Sequence, residues 1–136
     1  MKIGLFGFDF VSPNKGCEAL TYTVLSMLER LNPKAKYEIV NFTYNDDMGE
    51  IPTFFPKMRF KRFKICLKDP RFTFKALQEM KECKFFMDAT FGDGFSDIYG
   101  VKWNIKTDLI KQLVIMSGTT LVLVPQTYGP YSHKIM

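Results

Sequence analysis

Residues 2–42, KIGLFGFDFVSPNKGCEALTYTVLSMLERLNPKAKYEIVNF, change their hydrophobic period twice. Lys2 to Phe8 is a short apolar run bounded by polar residues, the pattern of a buried strand. Leu20, Val24, Met27, Leu28 and Leu31 then recur at helical spacing, which predicts an amphipathic helix from about Cys17 to Leu31. Glu18 falls in its first turn, where a carboxylate suits the positive helix end, and Asn32-Pro33 stops it. Tyr37 to Phe42 reads as a second strand. Strand, loop, helix and strand in this order argue for a parallel βαβ unit with a right-handed crossover.

Working outward, Asn45 to Pro56 carries turn residues without periodicity and reads as a loop. Lys57 to Leu67 reads as a basic, aromatic helix. Asp69-Pro70 is an N-cap followed by a first-turn proline, and Phe74, Leu77 and Met80 carry that helix to about Glu82. Lys84 to Ala89 is a third strand. After a loop from Thr90 to Gly100, Lys102 to Ser117 forms a helix with Ile105, Leu109, Leu113 and Met116 on one face and Gly118 as its stop. Thr120 to Val124, continuously apolar or β-branched, reads as a fourth strand covered on both faces. The expected fold class is α/β, a doubly wound, mainly parallel Rossmann-like sheet. It forms one domain over residues 1–136, with 46–75 as a basic and aromatic excursion. With no helix after the fourth strand, the expectation is a truncated domain whose second half is absent.

Composition narrows the function classes. Hydrophobic residues at 46% and charged residues at 24% suit a globular core rather than disorder. No apolar run reaches the roughly 18 residues needed to span a bilayer. Met1 to Val11 contains Asp9 and two glycines and has no cleavage site, so it reads as a strand and not a leader; the expected location is cytoplasmic. Cys17, Cys66 and Cys83 are odd in number without C-x-x-C spacing, and the chain has one histidine. That argues against a disulfide framework and against a metal site, so no metal is expected. The net charge of +5 is local: Lys57 to Lys75 holds eight bases and one acid, +7, and the remainder sums to −2.

Three polar loops each follow a strand's C-terminal end, the edge where open parallel sheets bind ligands. In the first, Asn14-Lys15-Gly16-Cys17-Glu18, the glycine permits a tight turn, and free N–H groups of the following helix can bind an anion or a hydroxyl-rich ligand. It lacks both G-x-G-x-x-G and the P-loop Gly-Lys-Ser/Thr, so neither NAD nor ATP is indicated. A helix cap with a packing glycine explains the same residues. In the second loop, Asp93 and Asp97 can bind sugar hydroxyls or accept a proton, while turn formation and helix capping are the plainer roles. In the third, Gln126 and Thr127 present polar groups at the strand end and Gly129-Pro130 makes a turn.

Taken together, Asn14-x-Gly16-Cys17-Glu18-Ala19, Gly92-Asp93-Gly94-Phe95-Ser96-Asp97 and Pro125-Gln126-Thr127-x-Gly129-Pro130 resemble the polysaccharide pyruvyl transferases. The resemblance runs from about Ile3 to Tyr131 and is weakest between Asn45 and Lys75. It implies the N-terminal half of a GT-B-type, two-domain transferase. It further implies phosphoenolpyruvate as donor substrate, no separate cofactor, and a pyruvyl ketal placed on sugar hydroxyls of an exopolysaccharide, capsule or cell-wall glycan. The acceptor would be a saccharide, in some cases lipid-linked. The residues the resemblance makes substrate-binding are Asn14, Gly16, Cys17, Glu18, Gly92, Asp93, Ser96, Asp97, Gln126, Thr127 and Gly129. Glu18, Asp93 and Asp97 are the candidate proton-transfer groups. Most of the family's basic and histidine machinery lies in the other half, so this chain is expected to be inactive alone. Many relatives have Asp where Cys17 stands; Cys17 at a helix N-terminus is a nucleophile candidate or, more plainly, a small packing residue. His133 lies past the last motif and reads as a surface residue.

Phe60, Phe63, Ile65, Phe72 and Phe74 interleave the basic run from Lys57 to Lys75. Such a stretch can touch an anionic membrane surface, although a solvated helix with core phenylalanines explains it as well. No nucleic-acid partner is expected. Two other readings stay open: a GT-B glycosyltransferase with a nucleotide-sugar donor, and a non-catalytic module binding saccharide or a partner.

Overall fold

The computed structural model describes residues 1–44, 55–66, 68–92 and 99–126. Among the described residues the elements run β1 (Lys2–Phe6), α1 (Lys15–Leu31), β2 (Tyr37–Thr43), β3 (Met58–Lys64), α2 (Pro70–Lys81), β4 (Phe85–Asp88), α3 (Val101–Met116) and β5 (Leu121–Leu123). All strands pair in parallel, in the order β3-β2-β1-β4-β5. The fold is therefore α/β and Rossmann-like, with five parallel strands in one sheet and three helices among the described residues.

Alternating side chains divide the core between the two faces. Ile3, Leu5 and Ile39 pack on Val24, Leu25 and Leu28 of α1. Phe6, Val40, Phe42 and Phe86 pack on Met80 of α2 and on Ile110, Leu113 and Val114 of α3. The sheet is thus doubly wound. The chain moves outward from β1 through β2 to β3, then returns to place β4 on β1's other side. The carboxyl ends of β1 and β4 consequently form the crevice that such sheets use for ligands.

Four sequence expectations change. Lys57 to Leu67 contains an edge strand, not a helix. Met58 to Lys64 pairs residue by residue with β2, and Phe60 and Phe63 pack against opposite core faces. Arg59, Lys61, Arg62 and Lys64 stand along this sheet edge, where charge discourages pairing with another chain. Second, β1 ends at Phe6, because Gly7 turns the chain with a left-handed backbone, φ 73°. Third, the helix faces are rotated from those expected. In α1, Cys17, Thr21, Val24, Leu25 and Leu28 face inward, leaving Met27 and Leu31 exposed. In α3, Asn104, Thr107, Ile110, Lys111, Leu113 and Val114 face inward, while Ile105, Leu109 and Met116 face out. Apolar and polar residues are mixed around α3, so periodicity could not select its buried side. Fourth, β5 is the second edge strand and is not covered on both faces: Val122 and Leu123 are exposed.

The expected helix ends are present. Asp69 caps α2 by accepting from the Arg71 N–H at 2.9 Å, with Pro70 in the first turn. Gly118, at φ 78°, follows the end of α3. Among the described residues, no helix is long and apolar enough to cross a membrane.

At the amino edge of the sheet, Lys2 Nζ lies 2.8 Å from Glu79 and 2.6 Å from Glu82, and Lys61 lies 2.9 Å from Glu79. Burial alone would raise the Glu79 carboxyl, but hydrogen bonds from Lys2 and Lys61 outweigh it and hold the group below its ordinary 4.5. A depressed carboxylate contributes stability above its unfolded pKa and loses it as pH falls through the folded one. Glu79→Gln should therefore lower stability by about 1 kcal/mol at pH 7. The deficit should shrink below pH 4.5, as urea unfolding at stepped pH would show. A deficit unchanged at low pH would assign it to packing.

Candidate functional site

The crevice is built first by backbone. At Gly7 an added Cβ would stand 2.4 Å from the Thr90 nitrogen, so β1's exit and β4's exit touch main chain to main chain. Beyond β4, Thr90 (φ 39°), Phe91 (φ 58°) and Gly92 (φ 82°) are successively left-handed. Such conformations are costly for the first two residues and persist only when their surroundings hold them. Here the surroundings are specific. Asp88 Oδ1 accepts the Thr90 N–H at 2.8 Å and the Thr90 hydroxyl at 2.7 Å. The Phe91 N–H donates to Gly7 O at 2.9 Å, and Gly92 N–H to Ala89 O at 2.8 Å.

Asp88 is 1% exposed, and its other oxygen, Oδ2, lies 3.2 Å from Lys111 Nζ. That oxygen has no aligned hydrogen bond, so the ion pair is what neutralises it. Lys111 also donates to Thr107 O at 3.4 Å. Asn104, Thr107 and Lys111, three and four residues apart, form a buried polar stripe of α3 beneath the loop.

Asn14 organises the first loop. It is the N-cap of α1, accepting the Gly16 N–H on its side chain at 3.0 Å and the Cys17 and Glu18 N–H groups on its carbonyl. This corrects the expectation of free N–H groups: three of those donors are already used. The buried Cys17 thiol donates to the Phe91 carbonyl, and its sulfur would lie 3.3 Å from a Cβ on Gly92. Cys17 thereby ties the first loop to the second. Glu18 turns toward Lys15, with Oε2 2.7 Å from Nζ.

Between these loops and the end of β5 lies a cleft of about 370 Å³, lined by Asn14, Gly16, Cys17, Leu20, Gly92, Pro125 and Gln126. All three sequence motifs contribute to it. Both Gln126 amide atoms are shielded from solvent without a hydrogen-bond partner among the described residues. An unpaired buried amide costs about 1–3 kcal/mol, and a ligand hydroxyl would remove that cost. Of the expected site residues, the structure brings Asn14, Gly16, Cys17, Gly92 and Gln126 together and leaves Glu18 outside the lining. Asp93, Ser96, Asp97, Thr127, Gly129 and His133 lie outside the described residues.

The sequence reading missed Leu20 and Pro125 as lining, and missed the Asp88–Lys111 pair. Asn104-x-x-Thr107-x-x-x-Lys111 was the available signal, a polar face on a helix otherwise rich in apolar residues. Among the described residues, no group of three or more His, Cys, Asp or Glu side chains is arranged to hold a metal ion. Comparison with protein-family models, curated proteins and solved structures found no match for this chain.

Proposed function

We propose that this chain forms the acceptor wall of a polysaccharide pyruvyl transferase. The carrying observation is the meeting of three distant motifs, through Asn14, Gly92 and Gln126, in one cleft at the carboxyl edge of the sheet. The cleft's chemistry favours a neutral, hydroxyl-rich ligand. Asn14 occupies the amides of Gly16, Cys17 and Glu18, and among the described residues no cationic side chain lines the space. Gln126 offers N–H donors on Nε2 and an acceptor on Oε1, which together suit a sugar hydroxyl.

In the proposed reaction, the methylene carbon of phosphoenolpyruvate gains a proton and one sugar hydroxyl adds to the neighbouring carbon. A second hydroxyl then displaces phosphate from that carbon, closing the ketal. Asp93 and Asp97 are the proposed proton-transfer groups. The setting is cytoplasmic, with a lipid-linked glycan as one acceptor class. The basic edge strand β3, in place of a basic helix, is the surface through which a membrane contact would form.

Gln126→Leu separates binding from folding. It should raise stability by about 1 kcal/mol, because an unpaired amide is removed. It should also weaken saccharide binding at least about tenfold, because a ligand hydroxyl loses both partners. Denaturant unfolding reads the first, and ligand-observed NMR with envelope oligosaccharides reads the second. Phosphate release from phosphoenolpyruvate with the same glycans tests the reaction. Oligosaccharide binding that ignores Gln126 would remove the assignment.

A further inference from the structure

Helix α2 carries apolar surface that the sheet does not use. Ala76 and Met80 face inward, but Phe72 is 42% exposed and Phe74 62%. Among the described residues, every other phenylalanine is buried or half-buried. Pro70, Arg71 and Lys75 are exposed as well, and of residues 70–75 only Thr73 is half-buried. This stretch makes more than one helical turn, so the amino end of α2 is uncovered around most of its circumference. Its charge is of one sign. It closes the run from Lys57 to Lys75, eight bases with one acid, and that acid, Asp69, turns back to cap the helix. Lys75 Nζ stands 5.8 Å from the centre of the Phe72 ring, so base and ring share one surface. Strand β3 ends at the same edge of the sheet with Arg62 and Lys64 exposed, while its own Phe60 and Phe63 pack on the core.

We infer that the amino end of α2 docks on an anionic phospholipid bilayer, with Phe72 and Phe74 entering between the headgroups and Arg71 and Lys75 held at the lipid phosphates. Charge alone attaches a protein weakly, and lasting attachment takes buried apolar area beside it. Strand β3 supplies charge only; α2 adds the apolar part. Basic side chains keep their charged heads at headgroup level while their stems and the neighbouring rings go deeper. A single-stranded nucleic acid also uses bases and rings, but within a groove that tracks its backbone, and these rings project from an uncovered helix end. The docked face is the carboxyl edge of the sheet, because α2 starts where β3 ends. Two strand spacings, roughly 10 Å, separate β3 from β1, so the cleft stands on the same edge. The surface stands on α2 and β3; only its use, presenting a lipid-linked saccharide to the cleft, rests on the transferase reading.

Sedimentation with vesicles of phosphatidylserine and phosphatidylcholine in about equal parts tests the surface. The chain should bind these vesicles and not vesicles of phosphatidylcholine alone. Phe72→Ala with Phe74→Ala changes two exposed side chains; it should weaken binding about tenfold while the circular dichroism stays unchanged. Arg71→Glu with Lys75→Glu should weaken it at least about tenfold, since each base gives about a fivefold gain at an anionic surface. Lys34→Glu with Lys36→Glu makes the same change of charge at the opposite edge of the sheet and should leave binding within about twofold. Equal binding to neutral vesicles, binding unchanged by the phenylalanine pair, or an equal loss from the Lys34 and Lys36 pair overturns the docking surface. So does tighter binding of a single-stranded oligonucleotide through the same phenylalanines, which would assign the patch to nucleic acid. Vesicle binding without phosphate release from phosphoenolpyruvate keeps the surface and removes the transferase reading. Transfer to soluble glycans without vesicle binding does the reverse.

Discussion

Lys111→Met is expected to cost about 3–5 kcal/mol, among the largest single-residue losses in this chain. Methionine retains most of the aliphatic stem, so packing in α3 changes little. What is lost is the positive charge 3.2 Å from Asp88 Oδ2, in a site where both side chains are under 10% exposed. Among the described residues, the carboxylate is then left with the two hydrogen bonds from Thr90. Breaking a buried pair from one side is far more damaging than replacing both members with uncharged groups. The double variant Asp88→Asn, Lys111→Met should therefore recover at least about 1 kcal/mol of the loss, which urea unfolding of the four proteins in a mutant cycle would show. Additive losses would mean that the pair contributes no coupling. Because Asp88 holds Thr90 in its left-handed conformation, Lys111→Met should also raise the alkylation rate of Cys17 by loosening the Phe91 carbonyl that accepts its thiol. Cys83 serves as an internal control, since burial pushes its thiol up to about 11.

Gly7→Ala is the second large effect, expected at about 3 kcal/mol or more. Its φ of 73° already disfavours any side chain. Its Cβ would also meet Thr90 N at 2.4 Å and Phe91 N at 2.7 Å, both backbone atoms with no rotamer to change. Relief requires β1 and β4 to separate at the point where the cleft is built. A Gly100→Ala variant provides the comparison: its φ is 82°, yet nothing lies within 4 Å of the added carbon. The difference between the two losses measures the contact apart from the backbone strain. Equal losses would show that β1 and β4 do not need this close approach.

Much of the fold was legible because local rules and global packing agree there. Asp69-Pro70 and Asn32-Pro33 mark helix ends by backbone chemistry that no tertiary contact needs to supply. Lys57 to Leu67 reads as a helix in sequence because its mixture of charge and phenylalanine suits either period. Only pairing with β2 makes it a strand, with Phe60 and Phe63 on opposite faces of one sheet. Likewise, polar and apolar residues are mixed around α3, and the sheet alone decides that Ile110 and Val114 are buried while Ile105 is not.

By itself, the sequence determined β1, α1, β2, α2, β4, α3 and β5 as elements, the edge strand β3 excepted, and the placing of three polar loops after strand ends. Those properties arise from side-chain period and from caps, which act over a few residues. Tertiary structure alone decided the strand order, and with it which loops could meet. Placing β4 beside β1 brings Gly92 to Cys17, and placing β5 beside β4 brings Gln126 to the same cleft. It also decided that Asp88 and Lys111 neutralise each other. Such pairings depend on the positions of residues far apart in the chain, which no local pattern records.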